Sequence, residues 1–199
     1  MLLTVKSRVG NQGIDITGIT VIRKDSIITF QKNNQILSLD LEKNSQYFEI
    51  DQKDNLLFIF ANPENTTFNK RLTNGKRLQK YLCGLFGLYR QKMNNLCIGL
   101  NEGYARELSF VGVQFEIIKN TEKFLELDVG LSHHKVFPKK SNVEYITIDK
   151  KKLSVKGICK ESVMQETASI AKLAKKNHFR EIGIFDSAKK YIFKTKKKK

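Results

Sequence analysis

No stretch of this chain approaches the roughly 18 consecutive apolar residues that a membrane-spanning helix needs, so a helical membrane protein is not expected. Cysteine is scarce as well. Cys83, Cys97 and Cys159 are an odd count at wide spacings, which makes neither a disulfide framework nor a zinc ribbon. Each sits in an apolar stretch and reads as a small buried hydrophobe in a reducing compartment. The opening MLLTVKSRVGNQG has neither the apolar core of a secretory leader nor the Arg- and Ser-rich amphipathic pattern of an organelle transit peptide. Ala, Arg, Pro and Gly together number only 27, against 82 for Lys, Asn, Ile, Phe and Tyr. The first group is encoded mostly by G- and C-rich codons and the second by A- and T-rich ones. This skew has no folding rationale and points to an AT-rich genome, as in a mitochondrion, a plastid or an AT-rich nucleus.

Catalytic signatures are missing too. Asn74-Gly75-Lys76 lacks the upstream glycine of a phosphate-cradling loop, and there is no nucleophile elbow and no HExxH. His133 and His134 are the one candidate metal feature. Adjacent residues on a strand point to opposite faces, so one metal rarely takes both. No cofactor, metal or small-molecule substrate is expected, and an enzyme is disfavoured.

What is present is positive charge on a foldable chain. Hydrophobic residues make up 40% and aromatics 10% of 199 residues, enough for a core. Lys and Arg outnumber Asp and Glu by 36 to 20, a formal charge of +16. A surplus of that size repels itself unless an anionic partner neutralises it, and nucleic acid is the commonest such partner.

Two halves follow one plan. Ile14 to Arg23, Ser26 to Gln31 and Gln35 to Leu41 read as strands, with Asn33-Asn34 as a hairpin turn because Asn tolerates positive φ. Tyr47 to Ile50 and Asn55 to Phe60 form another pair, and Asn62-Pro63 stops it. Leu78, Leu82, Leu85, Phe86, Tyr89, Met93 and Leu96 fall on one face of a helix, with Gly75 expected before it and Gly99 at its end. The second half repeats the order. Ala105 to Asn120 reads as one strand, on the alternation of Val111, Val113, Phe115 and Ile117. Glu122 to Val129, Glu144 to Ile148 and Lys152 to Lys156 follow as strands, then a helix from Glu161 to Lys176. The expectation is an α+β protein of two tandem similar domains, each an antiparallel sheet packed against one helix. They divide as 1–99 and 100–185, with a basic extension over 186–199 that carries little core material.

Several segments combine phosphate-neutralising, stacking and hydrogen-bonding groups, which is what RNA recognition requires. Lys175, Lys176, His178, Phe179 and Arg180 supply all three kinds just after a helix, where cations also meet its negative end. A solvated helix terminus would look much the same. Gly183 allows close approach of a phosphate to the backbone or serves a turn. Ser132, His133 and His134 offer flat rings and hydrogen bonds, or form a polar loop in solvent. The terminal lysines Lys194, Lys196, Lys197, Lys198 and Lys199 suit a threading extension.

Three stretches carry a family resemblance. Phe86-Gly87-Leu88-Tyr89-Arg90, then Gly99 to Tyr104, then Val111-Gly112-Val113, resemble the "HGLTR … GVSEGF … LVGVGY" run of the L-six family of large-subunit ribosomal proteins. Gly130-Leu131-Ser132-His133 is similar to its "GYSHP". Lys156 to Lys160, followed after a helix by His178-Phe179-Arg180 and Gly183-Ile184, is similar to "VxGxDK … PYKGKGI". The order and spacings match over residues 78–199. The resemblance implies a structural protein without catalytic activity, seated on large-subunit rRNA near the sarcin–ricin loop beside neighbouring large-subunit proteins. It adds Arg90 to the candidate RNA contacts, since that residue matches the family's arginine and guanidinium suits bidentate phosphate contact. With the AT-rich composition it implies a mitochondrial ribosome encoded in the organelle, a plastid one being the alternative. The family's proline is His134 here, the first glycine of "KGKGI" is Glu181, and Phe185 replaces a basic residue. A free nucleic-acid-binding factor, in maturation or in a nucleoid, is the competing class.

Overall fold

The computed structural model describes residues 2–3, 12–61, 68–69, 73–174 and 176–194. The stop at Asn62-Pro63 and the candidate contacts Lys175, Lys196, Lys197, Lys198 and Lys199 lie outside the described residues. The chain divides into two compact units, Met1–Glu102 and Gly103–Lys199. Each is α+β, and among the described residues each of the five antiparallel sheets is built from strands of one unit.

In the first unit, β1 (Leu2–Leu3) pairs with β8 (Phe68–Asn69). Strands β2 (Ile14–Asp15), β6 (Phe48–Lys53) and β7 (Leu56–Ala61) form one three-stranded sheet in the order β2-β7-β6. Strands β3 (Thr20–Lys24), β4 (Ile27–Lys32) and β5 (Gln35–Asp40) form a meander. Its β4–β5 turn is Asn33-Asn34, at φ +49° and +48°, the left-handed pair that a two-residue hairpin demands. The β6–β7 turn falls at Asp54-Asn55, because β6 runs through Asp51, Gln52 and Lys53 rather than stopping at Ile50.

Helix α1 runs from Thr73 to Asn101. Gly75 and Gly99 therefore lie inside it, not at its ends. The helix continues past Gly99 because Leu100 is a buried residue on its core face. It ends before Gly103, whose φ of +74° supplies the left-handed turn. The buried positions Leu82, Phe86, Tyr89, Met93, Cys97 and Leu100 recur at three and four, as an amphipathic helix requires. Phe48 from β6 packs edge-on against Phe86 and Tyr89, ring centroids 4.7 and 5.0 Å away. The Tyr89 hydroxyl donates to the Leu41 carbonyl (3.2 Å) and accepts from the Asn44 amide (3.0 Å), so this buried aromatic keeps its polar end satisfied.

In the second unit, the stretch expected as one strand is two. β9 (Tyr104–Val111) and β10 (Phe115–Asn120) are separated by a turn at Gly112, φ +148°. Val113 continues the apolar alternation but is 93% exposed at that turn. β10 pairs with β11 (Phe124–Val129), which pairs with β12 (Lys135–Pro138). β13 (Glu144–Asp149), β14 (Lys152–Gly157), β9 and β15 (Gly183–Asp186) form a four-stranded sheet in that order. Helix α2 spans Lys160–Lys172, four residues shorter than expected at its end. Its buried Val163, Thr167 and Ile170 join Leu108, Phe110, Leu153, Val155 and Ile184 in the core. The C-terminal segment is more structural than its charge suggests. Asp186 is buried, and Tyr191 and Phe193 both pack edge-on against Phe185. Of the cysteines, Cys97 is buried, while Cys83 and Cys159 are half-buried.

Candidate nucleic-acid interface

Strand register decides which loops of the second unit come together. Gly183, at the start of β15, pairs with Val111, at the end of β9. Phe115, at the start of β10, pairs with Val129, at the end of β11. The β9–β10 turn, the loop after β11 and the turn before β15 therefore share one end of the unit. A Cβ placed on Gly112 would stand 3.1 Å from Ile182, and one on Gly130 would stand 3.8 Å from the Gln114 amide oxygen. Two of the expected clusters thus lie at one end: Ser132, His133 and His134 in the loop after β11, and His178, Phe179 and Arg180 in the turn before β15. All six are exposed.

The turn before β15 is built by Asn177. Its side-chain oxygen accepts the backbone N–H groups of Phe179 (3.0 Å) and Arg180 (3.2 Å), an Asx turn that fixes the loop locally. Its own N–H donates to the Ile182 carbonyl at 2.9 Å and closes the loop. Glu181, at φ +56°, reverses the chain. Gly183 then enters the sheet at φ +138°, buried. A Cβ there would lie 3.1 Å from the Lys176 Cα. What the structure gives for this glycine is therefore close approach to Lys176 rather than an open cradle.

The chain returns to this turn after β15. The Lys194 N–H donates to the His178 carbonyl at 3.1 Å, and His178 Nδ1 lies 3.2 Å from the Ile192 carbonyl. The Lys194 ammonium stands 5.8 Å from the Phe179 ring centroid. Lys176 lies 4.7 Å over the Tyr191 ring and donates to its hydroxyl at 3.1 Å; the same oxygen accepts the Asp186 N–H at 3.0 Å. The result is an open concavity lined by Lys176, Asn177, His178, Phe179 and Lys194. Phe179 is 58% exposed beside the Lys194 ammonium. Such an arrangement can neutralise phosphates and stack a base.

Arg90 belongs to the first unit. Its Nε and a terminal guanidinium nitrogen donate to the carbonyls of Gln12 and Gly13, each at 3.2 Å, which ties the incoming chain to α1. Sequence reasoning did not foresee the turn that Asn177 builds or the return of Tyr191 and Ile192 to it. The Asn two residues ahead of the aromatic was the readable signal for the turn. The apolar Tyr-Ile-Phe triplet amid lysines was the signal for the returning segment. Among the described residues there is no group of three or more His, Cys, Asp or Glu side chains placed to hold a metal, and no helix long and apolar enough to cross a membrane.

The described residues thus form two α+β units, the second carrying a basic loop cluster beside an exposed aromatic. No family model matches the sequence. The chain is 30% identical over 166 residues to the large ribosomal subunit protein uL6 of Campylobacter fetus, covering 82% of each chain. It is 28% identical over 192 residues to that of Campylobacter jejuni subsp. doylei, covering 96% of this chain and 97% of the relative. Against that of Streptococcus equi subsp. zooepidemicus, identity is 27% over 179 residues, covering 89% and 90%. The chain belongs to the uL6 family of large ribosomal subunit proteins, a family of structural proteins and not of enzymes.

Proposed function

We propose that this chain is a structural constituent of the large ribosomal subunit, that its second unit seats on large-subunit rRNA near the sarcin–ricin loop, and that neighbouring large-subunit proteins complete its surroundings. The observation that carries the rRNA seat is the gathering of the Ser132–His134 loop, the His178–Arg180 turn and Lys194 at one end of the second unit. Phosphate neutralisation supplies most of the affinity in such contacts, and unstacked bases meet aromatic faces. Lys176, Arg180 and Lys194 provide the charge there, and Phe179 and the histidines provide the rings. Gly183 acts by holding the turn in place, and Arg90 by anchoring the first unit's incoming chain, where two of its donors are engaged. Lys175 and Lys196 to Lys199 extend the same basic run in sequence. The location near the sarcin–ricin loop follows from the family motifs around Gly130–His133 and Lys156–Gly183.

The particle is a mitochondrial ribosome in this reading. Its support is the excess of residues with A- and T-rich codons, which an organelle genome explains and the fold does not. Directed hydroxyl-radical probing tests the seat: iron tethered at position 179 should cut large-subunit rRNA near the sarcin–ricin loop. Cuts confined to other regions would place the RNA elsewhere.

A further inference from the structure

Helix α1 has a second ordered face. Arg77, Tyr81, Gly84, Leu88, Gln91 and Ile98 are all exposed, and with Asn95 they follow one another at steps of four and three. That spacing is the 3.5-residue repeat of a helix seam, here on the side opposite the core stripe. Tyr81, Leu88 and Ile98 leave 55%, 48% and 37% of their surface open, so apolar area recurs along the seam. The Gln91 amide donates to the Asn95 side-chain oxygen at 3.0 Å, a polar pair at seam positions of the kind that sets register. Gly84 and Gly87 lie in the middle of the helix, where glycine is destabilising relative to alanine. A Cβ at either would meet nothing within 4 Å, so packing among the described residues does not require them. Gly84 opens the seam to close approach of a partner's backbone.

Charge selects the partner. The 29 residues of α1 contain no acid, while Arg77, Lys80, Arg90 and Lys92 are among its cations. Arg77 and Lys80 are exposed beside Tyr81. A polyanion without apolar surface would leave Leu88 and Ile98 in water. We propose that the outer face of α1 docks an acidic amphipathic helix of a neighbouring protein, its apolar stripe against Tyr81, Leu88 and Ile98 and its carboxylates against Arg77 and Lys80. This surface belongs to the first unit and the proposed RNA seat to the second.

The test places a photoreactive benzophenone amino acid at position 88 of the full-length chain, irradiates living cells and sequences the adducts. The expected adduct is a peptide of another protein with several carboxylates at helical spacing. Arg77→Glu with Lys80→Glu should cut its yield at least fivefold. Gly84→Leu, whose Cβ would meet nothing within 4 Å among the described residues, should cut it comparably with the melting temperature unreduced. An adduct to RNA, to a second copy of this chain or to a peptide without such acids overturns the proposal, and so does the absence of an adduct. The same probe at position 179 reads the RNA seat independently. An RNA adduct there beside a failure at position 88 rejects the helix partner alone, and the converse rejects the RNA seat alone.

Discussion

Replacing Gly183 by alanine tests whether the candidate interface depends on one backbone conformation. At φ +138° a side chain pays local strain of about 1 to 3 kcal/mol. The new Cβ would also press on the Lys176 Cα at 3.1 Å, backbone that cannot rotate away as a side-chain tip would. A total near 2 to 3 kcal/mol is expected. For a unit of about a hundred residues, each kcal/mol lowers the midpoint by roughly 4 to 8 °C. Calorimetry of the full chain should therefore show the second unit's transition falling by about 8 to 24 °C. Binding to an rRNA fragment should fall further than unfolding accounts for, because Gly183 holds Lys176 and the His178–Arg180 turn in place. Gly84→Ala is the internal control. It lies in open helix, so it should stabilise by about 0.5 to 1 kcal/mol. A Gly183→Ala protein melting within about 2 °C of the parent would refute the reasoning.

Replacing His178, Phe179 and Arg180 together by alanine should weaken rRNA binding by about 1 to 3 kcal/mol if one base stacks on Phe179; full affinity in a filter-binding assay would place the RNA elsewhere. Tyr145 donates to the buried Glu166 carboxylate at 2.8 Å, which also pairs with Lys140 at 2.7 Å. Burial, then that hydrogen bond, pushes the Tyr145 hydroxyl above its ordinary 10.0. The raised group keeps its proton in the fold while the unfolded chain loses it, so its contribution is full below pH 10 and declines above. Urea midpoints of the parent should drop more steeply above pH 10 than those of Tyr145→Phe; parallel profiles would contradict this. Burial pushes the Cys97 thiol up to about 11, so at pH 8 thiol titration should label half-buried Cys83 and Cys159 well before Cys97. Equal rates for all three would mean that the core around α1 opens.

The periodic parts of the fold were legible because their chemistry is local. Asn33-Asn34 announces its own turn, and the α1 stripe needs only a period of 3.6. Boundaries set by distant partners were not. Val111, Val113, Phe115 and Ile117 alternate without a break, yet Gly112 turns the chain between them. What fixes that turn is the pairing of Phe115 with Val129, which no window around Gly112 contains. The four residues of β15 are buried throughout but too short to signal a strand among flanking charges. The end of α1 was misplaced at Gly99 because two glycines lie close together, and Leu100 between them is held by the core. At the candidate interface, the rings and cations were readable as residue types. Their convergence depends on the register of β9, β10, β11 and β15, and the return of Tyr191–Lys194 to the turn depends on the buried Phe185.

The central claim is that this chain resides in the large ribosomal subunit through contacts with rRNA. Sedimentation of a tagged full-length chain through a sucrose gradient containing high salt tests it most directly. The tag should travel with the large subunit, remain there after the wash, and be released only when the rRNA is digested. A tag found at the top of the gradient after the wash, as for a free nucleic-acid-binding factor, or on the small subunit, would contradict the account.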